Sequence, residues 1–263
     1  MGHFFEVELR NKVTAYSMVE PHSHDYYELF FLLEGERRFY VQNEMVLLSP
    51  KSFCVIEPFN MHKTEGDSFL RININISSEL LSKSEISFLN SCAKKRALKL
   101  DENYADLCFK ILKEASKLQL EWKDNDGYKL ALARSVLYFL QKQNLTQITN
   151  TYSTDSVEKI DTLILKMVAY INENYQTDIT LKSLSERFFL CKATLCERFR
   201  QTMNCSIMKY LFSVRVSKAR EFLLTTDKSM EEIAELCGFS SANYFGLVFK
   251  KATGLSPLHY RQR

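Results

Sequence analysis

Residues 21–31, PHSHDYYELFF, place His22 and His24 on either side of a serine, with Glu28 four positions beyond His24. Imidazole nitrogens and a carboxylate are a donor set for divalent transition ions. The same groups also serve as the hydrogen-bonding wall of a small-molecule pocket. On an extended strand alternate side chains share a face, so His22 and His24 are expected to point the same way. The spacing alone leaves two readings open: a metal site, and with it an enzyme, or a pocket that only senses something.

The elements that must position these residues have strand texture. Residues 4–77 hold the runs YELFFLL, RRFYVQ, MVLLS, FCVIEPF and LRININI, rich in Phe, Tyr, Val and Ile and separated by turn residues. RININI alternates polar with apolar, the period of a half-buried strand. Many short strands at close spacing predict a small barrel or sandwich. Around residue 79 the texture changes, and 102–121 and 126–144 have helical spacing and no proline. In the second segment Leu130, Ala133, Leu137 and Leu140 follow a 3-4-3 pattern, a coiled-coil-like seam expected to join two copies of the chain. Leu132, Val136 and Phe139 form a second apolar row, which leaves open a helix buried on both sides in its own domain. Residues 145–156, LTQITNTYSTDS, have little to bury and read as a linker. From 157 onward the period is helical.

At 263 residues, 46% of them hydrophobic and 25% charged, the chain has room for two ordinary globular domains and is neither disordered nor collagen-like. No apolar run approaches the ~18 residues of a membrane span, and the N-terminus has no apolar core of a secretory signal. Seven irregularly spaced cysteines without a Cys-x-x-Cys pair are expected to be free thiols in a reducing cytosol. The net charge of +3 conceals an asymmetry. Residues 182–263 carry 14 Lys and Arg against 7 Asp and Glu, whereas residues 1–181 carry 21 against 25. The basic end is expected to meet a polyanion.

That end contains an internal repeat. LSERFFLCKATLCERFRQTMNCS (184–206) lies over IAELCGFSSANYFGLVFKKATGLS (233–256), and each copy reads as helix, tight turn, helix. In the second copy Gly238 can take the positive φ of a helix end, and Ser240 or Ser241 can cap the helix that follows. Phe245 and Phe249 bury one stripe and leave Ser241, Ala242, Asn243, Gly246 and Lys250 toward the outside. In the first copy Leu195, Phe199 and Met203 are the buried stripe, and Lys192, Ala193, Cys196, Glu197 and Arg200 face out. Small and polar residues with basic ends suit a helix lying in the major groove of double-stranded DNA. The helix expected between the copies, residues 206–226, is ~30 Å long, close to the ~34 Å rise of one DNA turn.

Residues 230–261, MEEIAELCGFSSANYFGLVFKKATGLSPLHYR, resemble the signature of AraC-type (AraC/XylS) transcription regulators. The matching positions are Ile233, Ala234, Gly238, Phe239, Tyr244, Phe245, Phe249, Lys250, Lys251, Gly254, Pro257, Tyr260 and Arg261, with Tyr244 read as core. Two departures stand out. Gly246 and Leu247 replace a polar residue and an arginine, which implies weaker base reading by the second unit. Cys191 stands at a cap that usually holds Ser or Thr. Farther back, HSHDYYELFFLLEG resembles the first cupin motif through His22, His24, Glu28 and Gly35, and PFNMH resembles the second through Pro58 and His62.

The resemblance implies an α+β chain of two domains. Residues 1–144 would form a cupin-like, effector-sensing β-barrel with a helical dimerisation segment, 145–156 a linker, and 157–263 an all-α double helix-turn-helix DNA-binding domain. It implies a cytoplasmic homodimer that binds DNA sequence-specifically, activates transcription with RNA polymerase as partner, and touches no membrane. His22, His24, Glu28 and His62 would line the pocket of a small-molecule effector, with no metal, cofactor or catalytic residue. The rival is a metal-dependent cupin-type sensor or enzyme using the same four side chains. Sugars are the commonest inducers of such regulators. The aromatics Tyr26, Tyr27, Phe30, Phe31, Phe39, Tyr40 and Phe53 would suit a sugar ring or, equally, a hydrophobic core.

Overall fold

The computed structural model describes residues 4–41, 44–121, 126–143, 145–148 and 161–262. The β-rich half runs β1 (Phe5–Lys12), β2 (Tyr27–Gly35), β3 (Arg37–Val41), β4 (Glu44–Leu48), β5 (Ser52–Ile56), β6 (His62–Glu65) and β7 (Phe69–Ile76). It continues through α1 (Lys83–Lys94), β8 (Ala97–Lys99), α2 (Glu102–Glu121), α3 (Asp126–Lys142) and β9 (Thr146–Gln147). The strands form two antiparallel sheets, β1-β7-β2-β5-β8-β9 and β4-β3-β6. Between them Phe30, Phe39, Val46, Cys54, Ile56 and Phe69 pack into one core. The outer face of the larger sheet carries Leu29, Phe31, Ile72 and Ile74, and α1 to α3 cover it with Leu89, Leu112 and Leu137.

Two expectations change here. The strand containing RININI is buried on both faces, because its isoleucines lie under the helices while Arg71, Asn73 and Asn75 are also buried, on the other face. The seam of α3 is intramolecular: Ala133, Val136, Leu137 and Leu140 are at most 1% exposed inside this half's own core. The physical reason is that a sheet with an apolar outer face must be covered by something, and the α2–α3 hairpin is the nearest cover. Four buried phenylalanines (Phe30, Phe31, Phe39 and Phe53) likewise belong to packed cores.

Of the linker expected at 145–156, residues 149–156 lie outside the described residues. Within 145–148, Thr146 and Gln147 pair with Lys99 and Leu98 and extend the sheet.

The C-terminal half comprises α4 (Thr162–Asn174), α5 (Leu181–Phe188), α6 (Lys192–Met203), α7 (Ile207–Thr225), α8 (Met230–Leu236), α9 (Ala242–Thr253) and α10 (Pro257–Arg261). Short polar side chains cap most of them: Asp161, Thr180, Ser206, Ser229, Ser241 and Ser256 each accept from a backbone N–H of the first turn. Cys191 makes no such bond at the head of α6. Gly238 has φ +74°, and a Cβ there would come within 2.7 Å of Gln176 O and 2.8 Å of Tyr175 O, so only glycine fits this turn. Leu195, Phe199 and Tyr210 centre one helical core, and Ile233, Phe245 and Phe249 another, with α7 spanning both. All seven cysteines are unpaired. Among the described residues no helix is long and apolar enough to cross a membrane.

Candidate effector site and nucleic-acid interface

The structure brings His22, His24, Glu28 and His62 together. His22 and His24 precede β2 and do not lie in a regular strand, but His22 is tied to His62 by reciprocal backbone hydrogen bonds of 3.0 and 2.9 Å. Ligating nitrogens of the three histidines lie within 4.8 Å of one another. His24 Nε2 is 3.0 Å, and His62 Nε2 3.4 Å, from the same Glu28 oxygen, Oε2. His24 Nδ1 donates to Tyr26 O at 2.8 Å and His62 Nδ1 to Asn60 O at 3.0 Å. His24, Glu28 and His62 are buried, while His22 forms the exposed rim. Burial holds the His24 imidazole below its usual pKa in spite of the Glu28 charge. On Glu28 burial pushes upward, but the adjoining imidazoles of His24 and His62 outweigh it and hold the carboxyl well below the usual range.

A polar row that the sequence reading missed extends this site. Across β1, β7 and β2, Glu6, Asn75 and Glu28 stand directly opposite one another, and Asn73 lies next along β7. Asn73 Nδ2 donates to Glu28, Asn75 Nδ2 to Glu6 at 3.0 Å, and Arg71 Nη2 to Glu8 at 2.7 Å. Buried atoms of the row remain without a hydrogen-bond partner among the described residues: Asn73 Oδ1, Asn75 Oδ1 and Arg71 Nη1. Each costs ~1–3 kcal/mol if left so. The row therefore offers two amide acceptors and a guanidinium donor to an occupant. The alternation in RININI was the available signal, but alternation alone points the polar residues toward solvent.

The segments around the histidines also grip the helical half. Arg220 of α7 donates to Ser23 O at 2.9 Å and to the Tyr260 hydroxyl at 2.7 Å, and Tyr260 donates to Asp25 Oδ2 at 3.1 Å. Ser217 donates to Phe59 O at 2.8 Å, and the buried Lys63 ammonium donates to Thr202 O at 2.8 Å, at the end of α6. Met61 is packed into the helical core itself. Residues 22–25 and 59–63 thus belong at once to the site and to the contact with α6, α7 and α10.

On the far end of the chain, Lys192, Ala193, Glu197 and Arg200 of α6 are exposed and Cys196 half-buried. Ala193, Cys196, Glu197 and Arg200 line one depression together with Gln201, a neighbour not singled out from sequence. On α9, Asn243 and Lys250 are exposed, and Ala242 and Gly246 half-buried. Ser241 is the cap, its Oγ accepting from Tyr244 N at 3.2 Å. A side chain at Gly246 would meet nothing within 4 Å. Tyr244, read as core, is instead 41% exposed, with its ring edge against Phe212 and Phe239. Leu247, where arginine is usual, is 72% exposed. Part of the basic excess is structural: Arg198 grips Asp161 through two bonds of 2.6 Å, and Arg215 donates to Tyr175 O and Thr177 O.

Comparison with known proteins matches both halves. Residues 184–263 match the family described as a helix-turn-helix domain, and residues 8–79 match the AraC-like ligand binding domain. The chain is 23% identical to the HTH-type transcriptional activator RhaS of Enterobacter sp. (strain 638), over 92% of this chain and 87% of that one. It is 25% identical, with the same shares covered, to the HTH-type transcriptional activator RhaR of Mannheimia succiniciproducens. Among solved structures, ToxT from Vibrio cholerae aligns over 100% of this chain and 98% of its own, at 15% identity and a TM-score of 0.38.

Proposed function

The chain belongs to the AraC/XylS family of DNA-binding transcription regulators with an N-terminal ligand-binding domain, and from that premise we propose how its own residues carry the activity. Lys192, Ala193, Cys196, Glu197 and Arg200 on α6, and Ser241, Ala242, Asn243, Gly246 and Lys250 on α9, meet double-stranded DNA. Arg200 and Glu197 read base edges, and Lys250 holds phosphate. α7, 19 residues and ~29 Å long, spaces the two units for successive major grooves.

The effector is a small molecule bound at His22, His24, Glu28 and His62 and along Asn73, Asn75 and Arg71. Its hydrogen-bonding groups complement buried amide and guanidinium atoms, a chemistry that hydroxyl-rich molecules such as sugars supply. The protein works in the cytoplasm as an activator that engages RNA polymerase, and as a homodimer. With the α3 seam internal, two copies pair through the outer surface of the α2–α3 hairpin, where Tyr104, Leu107, Tyr128 and Tyr138 are exposed.

One observation carries this reading: the loops that hold the histidines are the loops that hold α7 and the end of α6. An occupant that shifts those loops shifts the helix that sets the pose of both recognition helices. The test is fluorescence anisotropy of the full chain with duplexes selected from a random pool. Affinity should fall steeply as salt rises, and a chain with no salt-dependent affinity for any duplex would refute the proposal.

A further inference from the structure

Glu197 and Leu247 hold the same place in the two repeats. In α6 Glu197 lies two residues from each of the buried Leu195 and Phe199, and in α9 Leu247 lies two residues from each of the buried Phe245 and Phe249. At ~100° of turn per residue each stands ~160° from both of its buried neighbours, at the middle of its helix's outer face. Glu197 can accept a hydrogen bond there. Leu247 can neither donate nor accept, yet it is 72% exposed and its helical neighbours Asn243, Lys250 and Lys251 are exposed polar or basic residues. A single exposed leucine is ordinary on a protein surface, so its place is weighed together with a second feature. Gly246, the residue before it, sits inside a helix, where glycine lowers stability. A β carbon there would meet nothing within 4 Å, so the packing of the described residues gives no reason for glycine. The clearance serves something outside the chain, and Leu247 stands beside it.

We propose that Leu247 sets the sequence preference of the second unit by packing on the 5-methyl group of a thymine. The proposal rests on the reading of α9 as a helix that lies in the major groove. Of the base edges presented there, guanine offers two acceptors, adenine an acceptor and an amino donor, and cytosine an amino donor. An aliphatic side chain pressed on any of these takes water from a polar group and returns no hydrogen bond. Thymine alone adds an apolar group, its methyl, and burying that group against leucine is favourable. Leucine reaches less far than the long polar side chains that read bases through hydrogen bonds, so the helix has to come close. The bare Gly246 removes a side chain that would hold it away. At the equivalent place in the first unit Glu197 suits a different pyrimidine edge, the amino group of cytosine. The two half-sites therefore differ at equivalent positions, with cytosine under α6 and thymine under α9.

The experiment is fluorescence anisotropy of the full chain on a duplex selected from a random pool, with each thymine replaced in turn by uracil, which removes only the methyl. Uracil at one position of the second half-site should weaken binding about 4-fold, the partition value of one buried methyl. At that position 5-methylcytosine should bind more tightly than cytosine by a similar factor. Leu247→Ala should lose a similar amount on the thymine duplex and become indifferent to the methyl on either base. Leu247→Glu, which copies Glu197, should turn the preference at that position from thymine to cytosine. A native chain indifferent to uracil at every position, or a Leu247→Ala chain as sensitive to it as the native one, overturns the methyl contact. If that happens while Lys250→Ala still makes the salt dependence shallower, α9 meets DNA and only this contact falls. If Lys250→Ala and Leu247→Ala both leave binding unchanged, α9 does not meet DNA and the two readings fall together.

Discussion

Arg200 and Lys250 occupy equivalent places in the two repeats, near the ends of α6 and α9, yet they are expected to behave differently. Arg200 shares a depression with Glu197, Cys196 and Ala193, the mixture of donor, acceptor and small residue that reads a base edge. Arg200→Ala should cost ~1–3 kcal/mol at the preferred sequence and relax the preference at one position. Lys250→Ala should weaken all duplexes alike and make the slope of log affinity against log salt shallower by about 1. Anisotropy on matched and mismatched duplexes distinguishes the two. Glu65 offers a pH test of the domain contact. Burial pushes its carboxyl up, but the hydrogen bond and charge of Lys63, helped by the Tyr40 hydroxyl and Arg38, hold it below the usual range. A depressed folded-state pKa stabilises fully above the unfolded value of ~4.3 and is lost as pH falls through the folded one. The gap in urea midpoint between the native chain and Glu65→Gln should therefore be present at neutral pH and close in acid below that value.

For the elements, α3 makes the sharpest prediction. Leu137 is buried against the chain's own sheet and helices, so Leu137→Glu places an unpaired charge in a core at a cost of several kcal/mol. It should unfold the β-rich half, seen as loss of cooperative melting, and should not yield a folded monomer. Tyr138, the next residue, is 59% exposed. Tyr138→Glu should keep the native circular dichroism and shift sedimentation toward the monomer. A Tyr138→Glu chain that remains dimeric would place the pairing surface elsewhere. At the head of α6, Cys191→Ser supplies the missing cap and should raise stability by ~0.5–1 kcal/mol in chemical denaturation.

Across the whole molecule, the two halves meet at α6, α7 and α10, and Arg220 of α7 is one of the side chains that join them. Its guanidinium binds Ser23 O, pairs with Asp25 at 3.6 Å and donates to Tyr260. Arg220 belongs to neither the recognition face nor the histidine cluster. Removing it should leave the salt dependence of DNA binding intact while cutting the coupling between effector and DNA, typically ~1–3 kcal/mol in such systems. Arg220→Ala should bring the reporter induction ratio close to unity. Induction at the native ratio would mean that the signal travels by another route.

What the sequence by itself determined is whatever a few neighbouring residues decide: the buried stripes Leu195–Phe199–Met203 and Phe245–Phe249, the Ser241 cap and the turn at Gly238. Capping, φ and helical period act within a turn or two, so each is written in adjacent letters. The cupin-like spacing of His22, His24, Glu28 and His62 was legible through family resemblance, and their convergence in space followed. Only the tertiary structure decided which surface buries the apolar rows of α3, because an apolar stripe does not specify whether the partner is its own sheet or a second copy. The same holds for Asn73 and Asn75, whose alternation fits solvent as well as a polar interior until the second sheet closes over them. The contact between the halves was the least legible of all. Lys63 meets Thr202 across 139 residues and Tyr260 meets Asp25 across 235, and pairings so distant in the chain leave no local pattern because they are chosen by packing after the elements have formed.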